Sequence, residues 1–258
     1  MILLLGTDKL DETRPVHRPH EQGSMPAKAA EVQQLFDDKA ATWSTKYANG
    51  GALSGRLTRF RRGLETLIPA PASALDLGCG TGDLAREFSQ HGYEVFAADV
   101  APRMLQRARE LSAGLSITWV QLQAGWTSLP FSDGRLDAVV ASSVLEYLDD
   151  PAVALRECSR ILRPDGILLF TVPNPLHPVR WVEALGTIWI RNVRDRAYQA
   201  GSGRVRRYVD YLRLSRNRFS LAKWNAIARE ARLQPISLGR RSGITPNPLA
   251  LLGFRKGL

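Results

Sequence analysis

Asp76-Leu77-Gly78-Cys79-Gly80-Thr81-Gly82-Asp83 follows a short apolar run, Ala74 to Leu77, and leads into helical periodicity from Asp83 to His91. Glycine at every second position lets the backbone pass close beneath a ligand and then enter a helix tightly. A dinucleotide fingerprint would read Gly-x-Gly-x-x-Gly, with pyrophosphate over the helix N-terminus. Here the third glycine comes one residue early, and Asp83 stands where a small residue would pack. An acid at a helix start repels a neighbouring pyrophosphate, so the expected ligand carries no phosphate. No Gly-Lys-Ser/Thr follows, which excludes a Walker loop.

Outward from this loop, strand and helix alternate. Glu94 to Ala98 is strand-like and stops at Asp99, and Pro102 to Leu111 is helical. A carboxylate at that strand tip is placed to accept both hydroxyls of a ribose. Alone, Asp99 would read as an N-cap for the Pro102 helix; beside the glycine loop, ribose binding is the better reading. Further strands fit Ile117–Leu122, Leu136–Ala141 and Gly166–Val172, with a helix over Pro151–Leu162. A helix over Leu221–Ala231 and strands over Leu233–Leu238 and Leu249–Phe254 complete the pattern, Pro235 restricting its strand to an edge or bulge. The class is α/β: a doubly wound, mostly parallel Rossmann-like sheet with right-handed crossovers.

The flanks divide the chain further. Residues 1–30 are polar, carry Pro15, Pro19 and Pro26, and read as a mobile arm. His17 and His20 belong to this solvated tail, and Met25 is an alternative start. Residues 31–67 turn helical, through Val32, Leu35 and Phe36 and, after Asn49-Gly50-Gly51, through Leu53, Leu57, Phe60, Leu64 and Leu67. Arg56, Arg59, Arg61 and Arg62 line the second helix, either as a solvated basic face or as part of a lid with one Arg reaching inward. Residues 68–173 form the ligand-binding core, 174–219 a basic aromatic insertion, and 220–258 the C-terminal helix and strands.

Composition bounds the function classes. The chain has 258 residues, 44% of them hydrophobic, which is ample for a packed core without staples. Its two cysteines, Cys79 and Cys158, build no disulfide framework and have no partners at metal-ligand spacing. No metal is expected. Met1 to Leu5 is too short for a signal-peptide core, so the expectation is a cytoplasmic protein in a reducing compartment. A formal charge of +10 favours anionic partners.

Asp76-x-Gly78-x-Gly80-x-Gly82, then Asp99, Leu129-Pro130-Phe131 and Leu162-Arg163-Pro164-Asp165-Gly166, together resemble the class I S-adenosylmethionine-dependent methyltransferases. The resemblance covers roughly residues 70 to 173 and implies a seven-stranded sheet whose last strand runs antiparallel. It implies S-adenosylmethionine as cofactor, with Gly78, Cys79, Gly80 and Gly82 along its methionine part and Asp76 supporting the loop or the amino group. It further implies Asp99 on the ribose, Val100 beside the adenine and Ser142 contacting the cofactor through its backbone. Many members carry Asp-Ala before the Leu-Pro-Phe motif, whereas this chain has Gly125-Trp126. Trp126 supplies either a stacking face or a cover for the core. More locally, Phe36-x-x-x-Ala40-Ala-Thr-Trp43 and Arg59 resemble the N-terminal lid of ubiquinone-biosynthesis O-methyltransferases and related small-molecule enzymes. That likeness implies a charge-assisted contact between Arg59 and the cofactor carboxylate. Those enzymes tend to show Glu-x-x-Glu-His after the fourth strand; here only Glu146 of Ser143-Val-Leu-Glu-Tyr147 matches.

Candidate bases for a hydroxyl or amine acceptor are Glu146, Tyr147 and His177, all near strand ends. The insertion is the most charged part of the chain: from Pro175 to Ala222, ten Arg face three acidic residues, a local balance of +7. Interleaved aromatics, among them Trp181, Trp189, Tyr198, Tyr208 and Tyr211, admit three readings. These are a substrate lid, a peripheral contact with anionic membrane, and a nucleic-acid surface, the last weakened by the absence of an adjoining RNA-binding module. The leading expectation is methyl transfer to a small, lipid-linked or anionic acceptor. The alternatives are a non-catalytic scaffold on the same fold and an RNA methyltransferase using the basic insertion.

Overall fold

The computed structural model describes residues 27–48, 51, 53–183, 203–238 and 247–257. Most of the expected arm, Asn49-Gly50 and the Ala184–Ser202 part of the insertion, with Trp189 and Tyr198, lie outside the described residues.

Seven strands form one sheet: β1 Ser73–Leu77, β2 Glu94–Asp99, β3 Ile117–Gln121, β4 Leu136–Ser142, β5 Leu162–Pro173, β6 Leu233–Ile236 and β7 Leu249–Lys256. Their order is β3-β2-β1-β4-β5-β7-β6. β1 to β5 pair in parallel, while β7 runs antiparallel to both β5 and β6. The chain winds outward from β1 through β2 to β3, then crosses back to place β4 on the other side of β1. That reversal opens a crevice beyond the carboxyl ends of β1 and β4.

Alternation within the strands splits the core in two. Leu75, Leu77, Phe96, Val139, Leu168 and Phe170 face one side of the sheet, with Leu155, Cys158 and Ile161 of α6 (Pro151–Ile161) and Trp224 of α8 (Leu221–Glu230). Ala74, Val95, Ala97, Val140 and Leu169 face the other, with Phe60 and Leu64 of α3 (Ser54–Leu67), Phe88 of α4 (Asp83–Gln90) and Leu105 of α5 (Pro102–Leu111). Burial on both faces explains why β1 reads as a continuous apolar run broken only by Asp76.

Several boundaries differ from the sequence reading, most by a single residue. α1 spans Ala27–Asp37, so the helical region begins before residue 31. α6 stops at Ile161 and β5 starts at Leu162, because Pro164 disfavours helix at Arg163 and Leu162 pairs with Leu136 across an irregularity in β4. β6 ends at Ile236 and pairs only with β7, the edge position that Pro235 tolerates. β7 continues to Lys256.

The segments outside the sheet join above the crevice. Lys28 of α1 donates to Leu148 O and pairs with Asp149, both at 3.1 Å. Glu31 of α1 pairs at 2.5 Å with Arg213 of α7 (Gly203–Leu214). Asp37 Oδ1 accepts the Arg103 backbone N–H at 2.9 Å, which seats α1 on the start of α5.

Phe170 is fully buried between Phe254, stacked at 5.4 Å, and Trp224 at 5.7 Å. Phe170→Ala is expected to destabilise the fold by about 3–5 kcal/mol, read from urea denaturation midpoints. A loss below about 1 kcal/mol would show that these rings do not form the packed centre of the sheet.

Candidate active site

The glycine loop is fixed by two layers of backbone contact. Gly78 N–H and Cys79 N–H both donate to Ala98 O, at 2.7 and 3.0 Å, turning the loop across the end of β2. Gly78 has a left-handed φ of 71°, and a Cβ there would collide with the Val144 side chain. Gly82, also left-handed at φ 75°, faces away from the crevice, where a Cβ would lie 2.7 Å from the Trp119 ring. Gly82 therefore serves the packing of α4 rather than the cavity wall.

Asp99 joins the two loops. Its Oδ2 accepts Gly80 N–H at 2.7 Å and its Oδ1 accepts Ala101 N–H at 2.9 Å. The N-cap of α5 is Ala101, so Asp99 is not the cap that the isolated residue suggested. Burial raises its pKa, opposed by the Ala101 and Gly80 N–H groups. With about four lone-pair sites, the carboxylate keeps acceptor capacity for a ligand.

A cavity of about 460 Å³ lies over this junction. Its wall includes Asp76, Gly78, Cys79, Gly80, Asp99, Val100, Trp126 and Ser142, the greater part of the residues singled out from sequence. Asp76 Oδ2 accepts Ala85 N–H at 3.1 Å, but its Oδ1 is buried with no hydrogen-bond partner. Burial, reinforced by Asp99, pushes its carboxyl up to about 8. Asp83 also lines the wall, held by Thr81 and Arg86 at 2.6 Å each. Asp76, Asp83 and Asp99 around the loop disfavour a pyrophosphate against it, while Lys39, Lys46 and Arg56 also line the cavity. Trp126 meets both descriptions offered by its sequence, since it belongs to the core cluster and faces the cavity. An unpartnered buried carboxylate oxygen, a loop too close for side chains and a strand-tip carboxylate fit a nucleoside carrying an amino group.

The wall continues into an aromatic half. Phe36 meets Trp43 edge-on at 5.6 Å and Tyr147 at 5.2 Å, and Tyr147 meets Tyr211 of α7 at 6.3 Å. All four rings line the cavity. Glu146 sits among them, 1% exposed, and its Oε2 has no hydrogen-bond partner. Burial pushes Glu146 up to about 7, against the pull of its own backbone N–H, Arg56 and Arg218. Tyr147 is pushed well above its usual range by burial and then by Glu146.

Two expected residues stand elsewhere. His177 is absent from the cavity wall; its Nδ1 accepts Val179 N–H at 3.2 Å, which commits the ring to the turn after β5. Arg59 is likewise not a wall residue. Arg56, one turn earlier, lines the cavity and donates from Nη1 to Ser142 Oγ at 3.1 Å. The helical phase held this information: Arg56, Phe60 and Leu64 follow at four-residue spacing, and Phe60 and Leu64 are the buried face of α3. Tyr47 was missed as a wall residue, and Tyr211 was named only among the aromatics of the insertion. They come from segments far from the glycine loop, and no local pattern marks them.

Comparison with known proteins agrees with this architecture. A family model described as "Methyltransferase domain" matches residues 75–170. An uncharacterized methyltransferase of Mycobacterium tuberculosis is 36% identical over 153 residues, covering 58% of this chain and 61% of that protein. The chain thus spans less than two thirds of that relative's length. A ubiquinone/menaquinone biosynthesis C-methyltransferase of Hahella chejuensis is 31% identical over 176 residues, 66% of this chain and 71% of that protein. Among solved structures, a TehB-like S-adenosylmethionine-dependent methyltransferase from Corynebacterium glutamicum superposes with a TM-score of 0.57 at 17% identity, covering 86% of this chain and 98% of that one. The solved structure shares the fold, and at 31% identity over 71% of the Hahella enzyme the chain belongs to the class I S-adenosylmethionine-dependent methyltransferases.

Proposed function

We propose that the protein transfers a methyl group from S-adenosylmethionine to a hydroxyl or amine of a small, largely apolar acceptor. The observation that carries this reading is a single cavity with the Asp99 carboxylate at one end and the buried, half-unpartnered Glu146 carboxyl at the other. When bound, S-adenosylmethionine supplies a methyl group on a sulfonium, already activated toward a nucleophile. Asp99 accepts the ribose hydroxyls, with Val100 and Trp126 flanking the adenine. The Asp76 Oδ1 atom accepts a hydrogen bond from the ammonium group, and the Arg56 guanidinium pairs with the carboxylate. Phe36, Tyr147 and Tyr211 hold the acceptor and exclude water. Alignment of that kind supplies roughly 7–11 kcal/mol of a displacement barrier. Glu146 Oε2 takes the acceptor proton, and a base working near its own pKa contributes about 10²–10⁴-fold.

Isothermal titration tests the cofactor half: Asp99→Ala is expected to weaken S-adenosylmethionine binding by more than about tenfold, the size of one charge-assisted contact. Unchanged affinity removes the ribose role.

The catalytic half is read from Glu146→Gln in a radiolabelled-methyl assay, with transfer expected to fall about 10²–10⁴-fold and cofactor affinity to hold. Wild-type turnover should rise with pH through about 7 as Glu146 loses its proton, and the variant should lose this limb. Stability moves oppositely. The folded pKa of about 7 exceeds the ordinary 4.5, so the native state binds more protons and loses stability as pH rises across that interval. Glu146→Gln should therefore melt higher than wild type at pH 8. A variant that keeps full turnover eliminates Glu146 as base.

The insertion supports a reading of where the acceptor resides. Leu176, Trp181 and Val182 are 74, 73 and 68% exposed, in the segment that carries the +7 balance. Apolar side chains beside excess arginine match an anionic bilayer surface. Among the described residues no helix is long and apolar enough to cross a membrane, so this contact is peripheral. Flotation with phosphatidylglycerol vesicles should show salt-sensitive binding that Trp181→Ser weakens; equal recovery on neutral vesicles would discard the contact.

A further inference from the structure

The turn that presents Glu146 has little secondary structure of its own. It follows β4 through Ser143, which adopts a left-handed φ of 59° and donates its N–H to Thr171 Oγ1 at 3.0 Å. Tyr147 N–H closes the turn onto Val144 O at 3.0 Å. The carbonyls of Leu145, Glu146 and Leu148 point away from any ladder. Buried carbonyls of this kind need donors from elsewhere.

Asn217, on the segment between α7 and α8, donates to all three, sharing Leu148 O with Lys28. Its side-chain Nδ2 donates to Leu145 O and Leu148 O, each at 2.8 Å, and its backbone N–H donates to Glu146 O at 3.2 Å. Both amide hydrogens are thus spent on carbonyls flanking Glu146, and Asn217 is 7% exposed. Its own position is fixed by the residue that follows. Arg218 Nη1 pairs with Glu183 at 2.6 Å, its Nε donates to Ser215 O at 2.9 Å, and its guanidinium lies 5.2 Å from the Tyr211 ring centre. Glu183, 4% exposed, also receives Arg180 Nη1 and, at 2.9 Å, the Tyr208 hydroxyl. One buried carboxylate therefore gathers the chain leaving β5, helix α7 and the Asn217 segment.

We propose that Asn217 is a positioning residue: it pins the Leu145–Leu148 turn so that the Glu146 carboxyl stays against the cavity wall, with Glu183 anchoring the pin. The base role of Glu146 rests on the methyl-transfer reading above; the pinning does not. The insertion is on this view a working part of the site. The groups facing Glu146 are Arg56 from α3, Arg218 beside the pin, and the phenols of Tyr147 and, through Tyr147, Tyr211 of α7. Loss of the pin admits water and leaves those charges in place, so the Glu146 titration moves down from about 7 toward the ordinary carboxylate range.

The test compares wild type with Asn217→Ala, using Arg216→Ala, an exposed neighbour, as control. Amide hydrogen exchange of residues 144–148 should accelerate at least about tenfold in Asn217→Ala, the sum of lost hydrogen bonds, while the strand amides hold. The Glu146 carboxyl ¹³C titration, assigned with Glu146→Gln, should fall by about one unit or more. S-adenosylmethionine affinity should stay within about threefold, and kcat should drop more than about tenfold with its acidic limb displaced downward. Unchanged exchange and titration in folded Asn217→Ala overturn the pin, as does acceleration spread evenly over the sheet. Should that variant fail to fold, the wild-type protein decides: slow exchange of the Asn217 side-chain amide protons supports the pin and fast exchange overturns it. A wild type that binds cofactor but methylates nothing refutes the proposed function, while exchange and titration still judge the pin.

Discussion

A buried carboxylate between two backbone amides holds the site together. Asp99 grips Gly80 N–H with one oxygen and Ala101 N–H with the other, tying the loop after β1 to the loop after β2. An acid buried in this way is costly unless its charge meets donors, and these amides are the donors. The same contact sets the depth of the glycine loop and thereby the floor of the cavity. Because its oxygens retain acceptor capacity, Asp99 organises the protein and remains available to a ligand.

The cavity is electrically divided. Asp76, Asp83 and Asp99 gather around the glycine loop, where Trp43 covers Gly80, while Phe36, Tyr147 and Tyr211 form an aromatic stretch of the wall. A positively charged nucleoside derivative suits the first and an uncharged ring or chain suits the second. Glu146 lies in the aromatic stretch, where burial keeps its proton near neutral pH, and Asp76 is held protonated for the same reason. An arriving cation would return Asp76 to its ionised form, whereas Arg56 and Arg218 already face Glu146 and offset only part of its burial.

The core strands were legible because a sheet buried on both faces writes near-continuous apolar runs, and the reversal at β4 follows from their order. Gly78, Gly80 and Asp99 were legible because a tight turn and a strand-tip acid are local features. What escaped was contact between distant segments. Arg56 and Arg59 are equivalent by composition, and only the phase set by Phe60 and Leu64 separates them. His177 resembles a catalytic histidine in sequence, yet the Val179 N–H claims its ring nitrogen. Asn217 carried no signal, since its partners lie 69 and 72 residues away and are backbone carbonyls, which leave no trace in residue identity. β5 began early because Leu162 found a pairing partner in β4 that the helical pattern of α6 concealed.

The roof of the cavity joins segments far apart along the chain. Glu31 meets Arg213 across 182 residues, and Lys28 meets Leu148 across 120. During synthesis, α1 can meet α5 once Arg103 has emerged, but its contacts with Leu148 and Arg213 wait for those later residues. The central sheet condenses from near-neighbour strands, whereas closure over the ligand is a late event with a large loop-entropy cost. Folding intermediates of this chain would therefore have a formed floor and an open top, and would acquire affinity for ligand only in the last step of maturation.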